Sequence, residues 1–294
     1  MSELFGIPVA AILGQLMLGL VNGSFYALLS LGLAVIFGLM GVVNFAHGAF
    51  YALGAFAALV GLQQFGLNYW AALLLAPLAV GLLGVLTERL LLQRLRGLSP
   101  LYGLLLTFGL ALVIEGSLHQ IFGASGRSYP VPPQLQGALD LRFMILPVYR
   151  GWVILVSVVV CFGTWFVIER TRLGATLRAA TENAPLLQAF GVNVPLLIAA
   201  TYGGGVALAA LAGVLSAPVI LVTPEMGRSL VIVVFAVVVI GGMGSILGAI
   251  LSGLMLGVLE GLTKVVYPEA SNIVVFVIMA LVLILRPAGL FGKE

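Results

Sequence analysis

The chain has 294 residues, 62% of them hydrophobic and 8% charged, with a formal net charge of +3. Soluble domains carry about a quarter charged residues, so composition excludes a water-soluble enzyme or nucleic-acid-binding module and indicates an integral membrane protein bathed in the lipid bilayer. The one cysteine, Cys161, and the two histidines, His47 and His119, offer no disulfide, thiolate cluster or metal centre. No cofactor is expected on this chain.

Met1 to Pro8 reads as a short lead-in without a basic region or cleavage site. Apolar stretches follow at 9–37, 44–63, 68–93, 100–122, 150–168, 193–221, 229–263 and 270–286. They predict an all-α polytopic protein of about eight transmembrane helices. The first and seventh exceed the ~20 residues one crossing needs, so each is tilted, broken or doubled. Gly241-Gly242-Met243-Gly244 predicts a break in the seventh, with 229–240 as a half-helix that enters the membrane and turns back. The side of the C-terminus depends on that break and stays open.

Three hydrophilic stretches interrupt the pattern, at 87–99, 123–150 and 169–193. The first and third are two spans apart and share a side. Together they hold six arginines, Arg89, Arg94, Arg96, Arg170, Arg172 and Arg178, against three in the second, Arg127, Arg142 and Arg150. The positive-inside rule puts the pair in the cytoplasm and the Pro-rich 123–150 segment outside.

Gly23-Ser24-Phe25-Tyr26-Ala27-Leu28 is echoed by Gly48-Ala49-Phe50-Tyr51-Ala52-Leu53, and the copies follow Asn22 and His47. The echo fits either two broken helices lining a pathway or a chance similarity. Asn44 and His47 mark a helix break near a pathway, or cap a helix at the interface; no second ligand at helical spacing supports a metal role for His47. Glu115 and His119, one helical turn apart, form a proton relay or an interfacial pair. Glu88 and Arg89 read as an end-cap, and Glu260 with Lys264 as a snorkelling pair. Gly244 and Gly248, followed by Gly253, Gly257 and Gly261, form a stripe for tight packing within the subunit or against a partner. Gly123-Ala124-Ser125-Gly126 matches an intramembrane-protease string, but the base it needs is missing because no histidine follows His119.

Between Gly174 and Phe190, Leu177, Ala180, Ala184, Leu187 and Gly191 fall at three- and four-residue steps and make an apolar stripe. Arg178, Glu182 and Gln188 lie off it. Pro185 kinks or restarts the helix, and Gly191 ends it. Such a helix is either an ordinary solvated loop helix or one that fits a groove on a partner. No G-x-x-x-x-G-K-[ST] string occurs, so nucleotide phosphates are not cradled by that route.

The stretches 19–56, Glu88-Arg89, 170–194 and 239–261, above all Asn44-Phe45-Ala46-His47-Gly48 together with the Gly-Gly-x-Gly-Ser segment, resemble the permease subunits of branched-chain amino acid ABC importers, the LivH type. The resemblance implies one permease domain over 1–294 that is not itself an enzyme. It implies a homologous second permease or a second copy, two cytoplasmic ATPases that use the ATP, an extracytoplasmic binding protein, and a bacterial inner-membrane location. Residues 171–191 match the loop that docks into the ATPase, with Gly174, Arg178, Ala180, Glu182 and Gly191 at the corresponding places. Thr181-Glu182-Asn183 departs from the importers' EAA pattern. Val231 to Val239 lacks a lysine that many relatives carry, which leaves urea and short amides as alternative cargo. Asn22, Asn44 and His47 are candidates to line or gate the pathway. Gly241, Gly242, Gly244, Gly248, Gly253 and Gly257 are candidates for packing. A stand-alone secondary transporter or channel would need buried carboxylates; Glu115 is the only acidic residue well inside a predicted span.

Overall fold

A computed structural model describes residues 3–4, 7–41 and 43–292. Half of the lead-in, residues 1, 2, 5 and 6, therefore lies outside the described residues. Eleven α-helices follow in chain order among the described residues: α1 (Val9–Met40), α2 (Ala46–Phe65), α3 (Tyr69–Leu90), α4 (Pro100–Phe122), α5 (Val148–Arg170), α6 (Arg172–Glu182), α7 (Ala184–Ala189), α8 (Val194–Ser216), α9 (Met226–Gly241), α10 (Ile246–Val266) and α11 (Val274–Leu285). Seven stretches, in α1–α5, α8 and α10, are long and apolar enough to cross a membrane. The chain is an all-α, multi-pass membrane protein.

The structure decides between the readings of the two long stretches. The first apolar stretch is neither broken nor doubled: α1 runs unbroken for 32 residues, ~48 Å at 1.5 Å per residue. Gly23 opens a packing surface instead of a break, since a Cβ there would lie 2.9 Å from the Leu254 carbonyl oxygen on α10. The echoed hexapeptides are therefore not paired helix starts; only the second copy stands at one. The seventh stretch is two helices. Gly242 and Gly244, both at positive φ (97° and 87°), turn the chain from α9 into α10. A Cβ on Gly241 would meet the Gly248 backbone at 2.6 Å, so the two helices leave the turn side by side.

Because α9 has 16 residues, it is ~24 Å long, short of the ~30 Å hydrocarbon core. It does not turn back. Just before it, Val222 pairs with Arg127, beyond the far end of α4. Its last residues reach the end of the bundle where Met243 to Ile246 share a cavity with α6. The C-terminal Phe291 and Gly292 line the same cavity, which settles that the described C-terminal residues share an end with α6.

In α1, 83% of the span window is buried, against 17% in α4 and in α5, so α1 is central and the latter two are peripheral. α1 and α10 pack along a glycine seam. Added Cβ atoms on Gly253, Gly257 and Gly261 would lie 2.6 Å from Ala27 N, 2.2 Å from Gly23 N and 2.4 Å from Gln15 O. In hydrocarbon, helices associate through such close packing rather than a hydrophobic drive. Some hydroxyls in the spans are satisfied within their own helices, as in Ser24 to Leu20 O (2.8 Å) and Thr263 to Leu259 O (2.7 Å). Such bonds avoid the several kcal/mol that an unpaired polar group costs in lipid. At the end opposite α6, the Tyr149 hydroxyl donates to Leu215 O (3.0 Å), and Trp152 Nε1–H donates to the Tyr69 hydroxyl (3.1 Å). Tyr and Trp with one polar edge suit a membrane–water boundary.

Candidate functional site: the charged end of the bundle

α5 ends at Arg170, Thr171 turns the chain, and α6 starts at Arg172. So sharp a corner leaves the last carbonyls of α5 without helical partners. Gly174 lets α6 fold back onto them: a Cβ there would lie 1.6 Å from Ile168 O. Arg178, one turn on, donates from Nη1 to that same oxygen (3.0 Å) and to Glu169 Oε2 (3.4 Å). A guanidinium over the last turn of α5 also meets the negative end of the helix dipole.

On α6, Gly174, Leu177 and Ala180 are buried, while Arg178 and Glu182 are exposed. Asn183 caps α7, its side chain accepting from Leu186 N–H at 3.0 Å, with Pro185 in the first turn. Gly191, at φ 82°, ends the segment in the left-handed conformation. The outer face carries apolar knobs: Leu186 is 54% exposed and Phe190 76% exposed. Behind α6 lies a cavity of about 920 Å³ walled by the end of α1 (Phe37, Gly38), Ile168 and Glu169 of α5, Leu177 and Arg178 of α6, and Ser245 and Ile246 at the α9–α10 turn.

The other candidates lie deeper. Asn44 and His47 are 1% exposed: Asn44 caps the first turn of α2, and His47, inside that turn, reaches α1. A helix starting there needs partners for its first N–H groups. Thr107 Oγ1 accepts from Phe45 N–H (3.3 Å), Asn44 Oδ1 from Ala46 N–H (3.1 Å) and Asn44 O from His47 N–H (3.2 Å). His47 Nε2 stands 3.0 Å from Leu29 O; a carbonyl partner requires that nitrogen to carry the proton. The ring wedges where α1 meets α8, since a Cβ on Gly32 would touch Gly205 O at 2.6 Å and the His47 ring at 3.0 Å. Asn22 is half-buried on α1. Gly242 packs against Gly289 and Gly292 of the C-terminal segment, Gly244 against Gly38, and Gly248 against Gly241.

Four ion pairs form among the described residues, three of them unanticipated, the Glu169–Arg178 pair above included. Glu88 is fully buried and pairs with Arg96 across the end of α3, so it is an interior anchor more than an end-cap. Glu115 pairs with Arg228 of α9 (2.5 Å), not with His119. Lys264 does pair with Glu260 (2.6 Å), but Glu260 is also buried and accepts from the Tyr26 hydroxyl of α1 (2.7 Å). Glu115 is therefore not alone inside the spans: Glu260 sits six residues from the end of α10 and Glu115 seven from the end of α4. The i,i+8 spacing of Glu88 and Arg96 across a helix end could have flagged the first pair. Nothing local signals the second, whose residues lie 113 positions apart.

A family model described as branched-chain amino acid transport system, permease component, matches residues 15–283. The chain is 32% identical to the high-affinity branched-chain amino acid transport system permease protein BraD of Pseudomonas aeruginosa, over 96% of each chain. It is 28% identical to LivH of Escherichia coli K12, again over 96% of each. It is 29% identical to LivM of the same organism, over 90% of this chain and 67% of LivM. No solved structure matches the chain.

Proposed function

Since the chain belongs to the branched-chain amino acid transport permease family, we propose that it forms half of a pathway for branched-chain or similar hydrophobic amino acids across a bacterial inner membrane. It is a permease component, and relatives named LivH and LivM support a second permease as its partner. We assign the energy to two separate cytoplasmic ATPases and the delivery of substrate to an extracytoplasmic binding protein, with no catalysis and no cofactor on this chain. Its relatives' names favour amino acids over urea or short amides.

The observation that carries the coupling assignment is the α5–α6 corner. Gly174 and Arg178 fasten one face of α6 to α5, while Leu186 of the following α7 and Phe190 at its end are exposed. A partner that grips those knobs moves α6, and the corner passes the motion to α5. The test is leucine uptake in proteoliposomes holding this chain, its second permease, both ATPases and the binding protein. ATP-dependent uptake that stops when the ATPases are omitted is expected; uptake by this chain alone would overturn the assignment in favour of a stand-alone carrier.

A further inference from the structure

Arg228 is the third residue of α9, and its guanidinium reaches the Glu115 carboxylate at 2.5 Å. Glu115 is seven residues from the end of α4, so its backbone lies ~10 Å inside a membrane-length helix, and Arg228 reaches it from the first turn of α9. Even so, the Arg228 side chain is 62% exposed and that of Glu115 18% exposed. Neither makes another side-chain hydrogen bond among the described residues, leaving Glu115 Oε2 and further guanidinium N–H groups unpartnered. An exposed charge at that depth does not face lipid, where its cost is high. Nor does it suit a dry protein interface, where those unpartnered groups would be buried unsatisfied. It faces water. Ser229, the next residue, is also exposed. Ile232, one turn further on α9, is 54% exposed, and Leu112, one turn before Glu115, is 49% exposed; these spacings put each apolar side chain on the face of its charged neighbour.

We propose that Glu115 and Arg228 form the point in the aqueous pathway where the permease holds a zwitterionic amino acid in passing. The free guanidinium edge of Arg228 takes the α-carboxylate, Glu115 Oε2 takes the α-ammonium, and Leu112 and Ile232 receive the aliphatic side chain. Arg suits carboxylate recognition through its planar fork. Because the two groups partly satisfy each other, the site binds weakly and releases, as a pathway requires. The inference rests on the amino-acid transport proposed above, and its test separates the two.

Cys161 is 1% exposed, so Ser229→Cys gives this chain its one accessible thiol. In the assembled transporter, with partner cysteines replaced, a membrane-impermeant cationic methanethiosulfonate should modify residue 229. Leucine uptake should then fall about five-fold or more, and excess leucine should slow the modification. Arg228→Gln and Glu115→Gln should each lower uptake about ten-fold with protein yield unchanged. The swap Glu115→Arg with Arg228→Glu should keep the yield but not restore uptake. An inert Ser229→Cys in a transporter that still carries leucine, or full uptake by the swap, would overturn the site. If the unsubstituted transporter carries no branched-chain amino acid, the functional reading fails instead, and the accessibility of residue 229 is still read.

Discussion

Gly257 on α10 and Gly174 on α6 both sit where no side chain fits, yet their surroundings differ. Gly257 belongs to a seam of five glycines, Gly19, Gly23, Gly253, Gly257 and Gly261, that brings α1 and α10 into backbone contact over most of their shared length. Buried Glu260, between Gly257 and Gly261, bonds to Tyr26 of α1 and to Lys264; along the glycines themselves the adhesion is dispersion spread over many atoms. Gly174 stands almost alone, at a corner held by one close approach and one arginine, with the outer face of α6 open to solvent. A seam of the first kind moves as one body. A corner of the second kind is a handle, firm on the inside and free on the outside. If the corner receives force, as proposed, the seam keeps α1 and α10 from absorbing it.

The largest expected effect tests the seam. A leucine at 257 would start with a Cβ 2.2 Å from Gly23 N and 2.3 Å from its Cα. Backbone on both sides cannot yield without separating α1 from α10, and overpacking alone costs about 1–3 kcal/mol where only side chains must shift. Gly257→Leu should abolish the monodisperse peak in detergent size-exclusion chromatography. A normal peak would mean that the helices part cheaply, which breaks the comparison.

Next comes the corner. Gly174→Val should leave the spans folded, because α6 lies outside them and swings away from Ile168. Uptake should fall at least about ten-fold while the ATPases keep hydrolysing ATP, since a displaced handle transmits poorly. Loss of the folded protein, with the same chromatographic signature as Gly257→Leu, would erase the distinction between the regions. Arg178→Ala should act more mildly. It removes a 3.0 Å bond to Ile168 O, worth about 1 kcal/mol, and a half-exposed pair with Glu169 worth ~0–1 kcal/mol after solvent screening. A several-fold loss of uptake is expected. Arg178→Glu should lose more, by setting like charges together. Adding Glu169→Arg should recover little, because the carbonyl and not the carboxylate is the main partner.

How far each region was legible follows from the range of its interactions. The corner was readable because its signals are local: Leu177, Ala180, Ala184 and Leu187 at helical steps, Pro185 at a restart, Gly191 at a stop. The structure turns Leu177 and Ala180 inward and leaves Arg178 and Glu182 outward. The α9–α10 break was legible for the same reason, since clustered glycines permit the positive φ of a tight turn. Whether α1 is broken stayed open in the sequence because a glycine that admits a neighbouring helix and one that ends its own look alike. Only α10 on the far side of Gly23 decides between them. The pair Glu115–Arg228 was hidden by distance along the chain, and His119, the partner suggested by spacing, is exposed on α4. Asn44 and His47 stood out as polar residues beside an apolar stretch, but their burial depends on Thr107 from α4 and Leu29 from α1, contacts that periodicity does not encode.

The smallest effect gives the cleanest separation of coupling from folding. Glu182 is the last residue of α6 and is exposed. A carboxylate there opposes the negative end of the helix dipole, so it is not placed for the helix's own stability. Glu182→Lys reverses the charge and complements the dipole, which favours α6 by ~0.3–1 kcal/mol at a surface position. The melting temperature of the purified permease should therefore hold or rise slightly. If Glu182 meets a partner ATPase, uptake should nevertheless drop two- to five-fold, about what a rim charge contributes to assembly, and the loss should shrink at high salt as the mismatched charge is screened. A stabilised helix with lower transport cannot be explained by misfolding. Unchanged uptake would free Glu182 of any coupling role and confine the handle to Gly174, Arg178 and the knobs at Leu186 and Phe190.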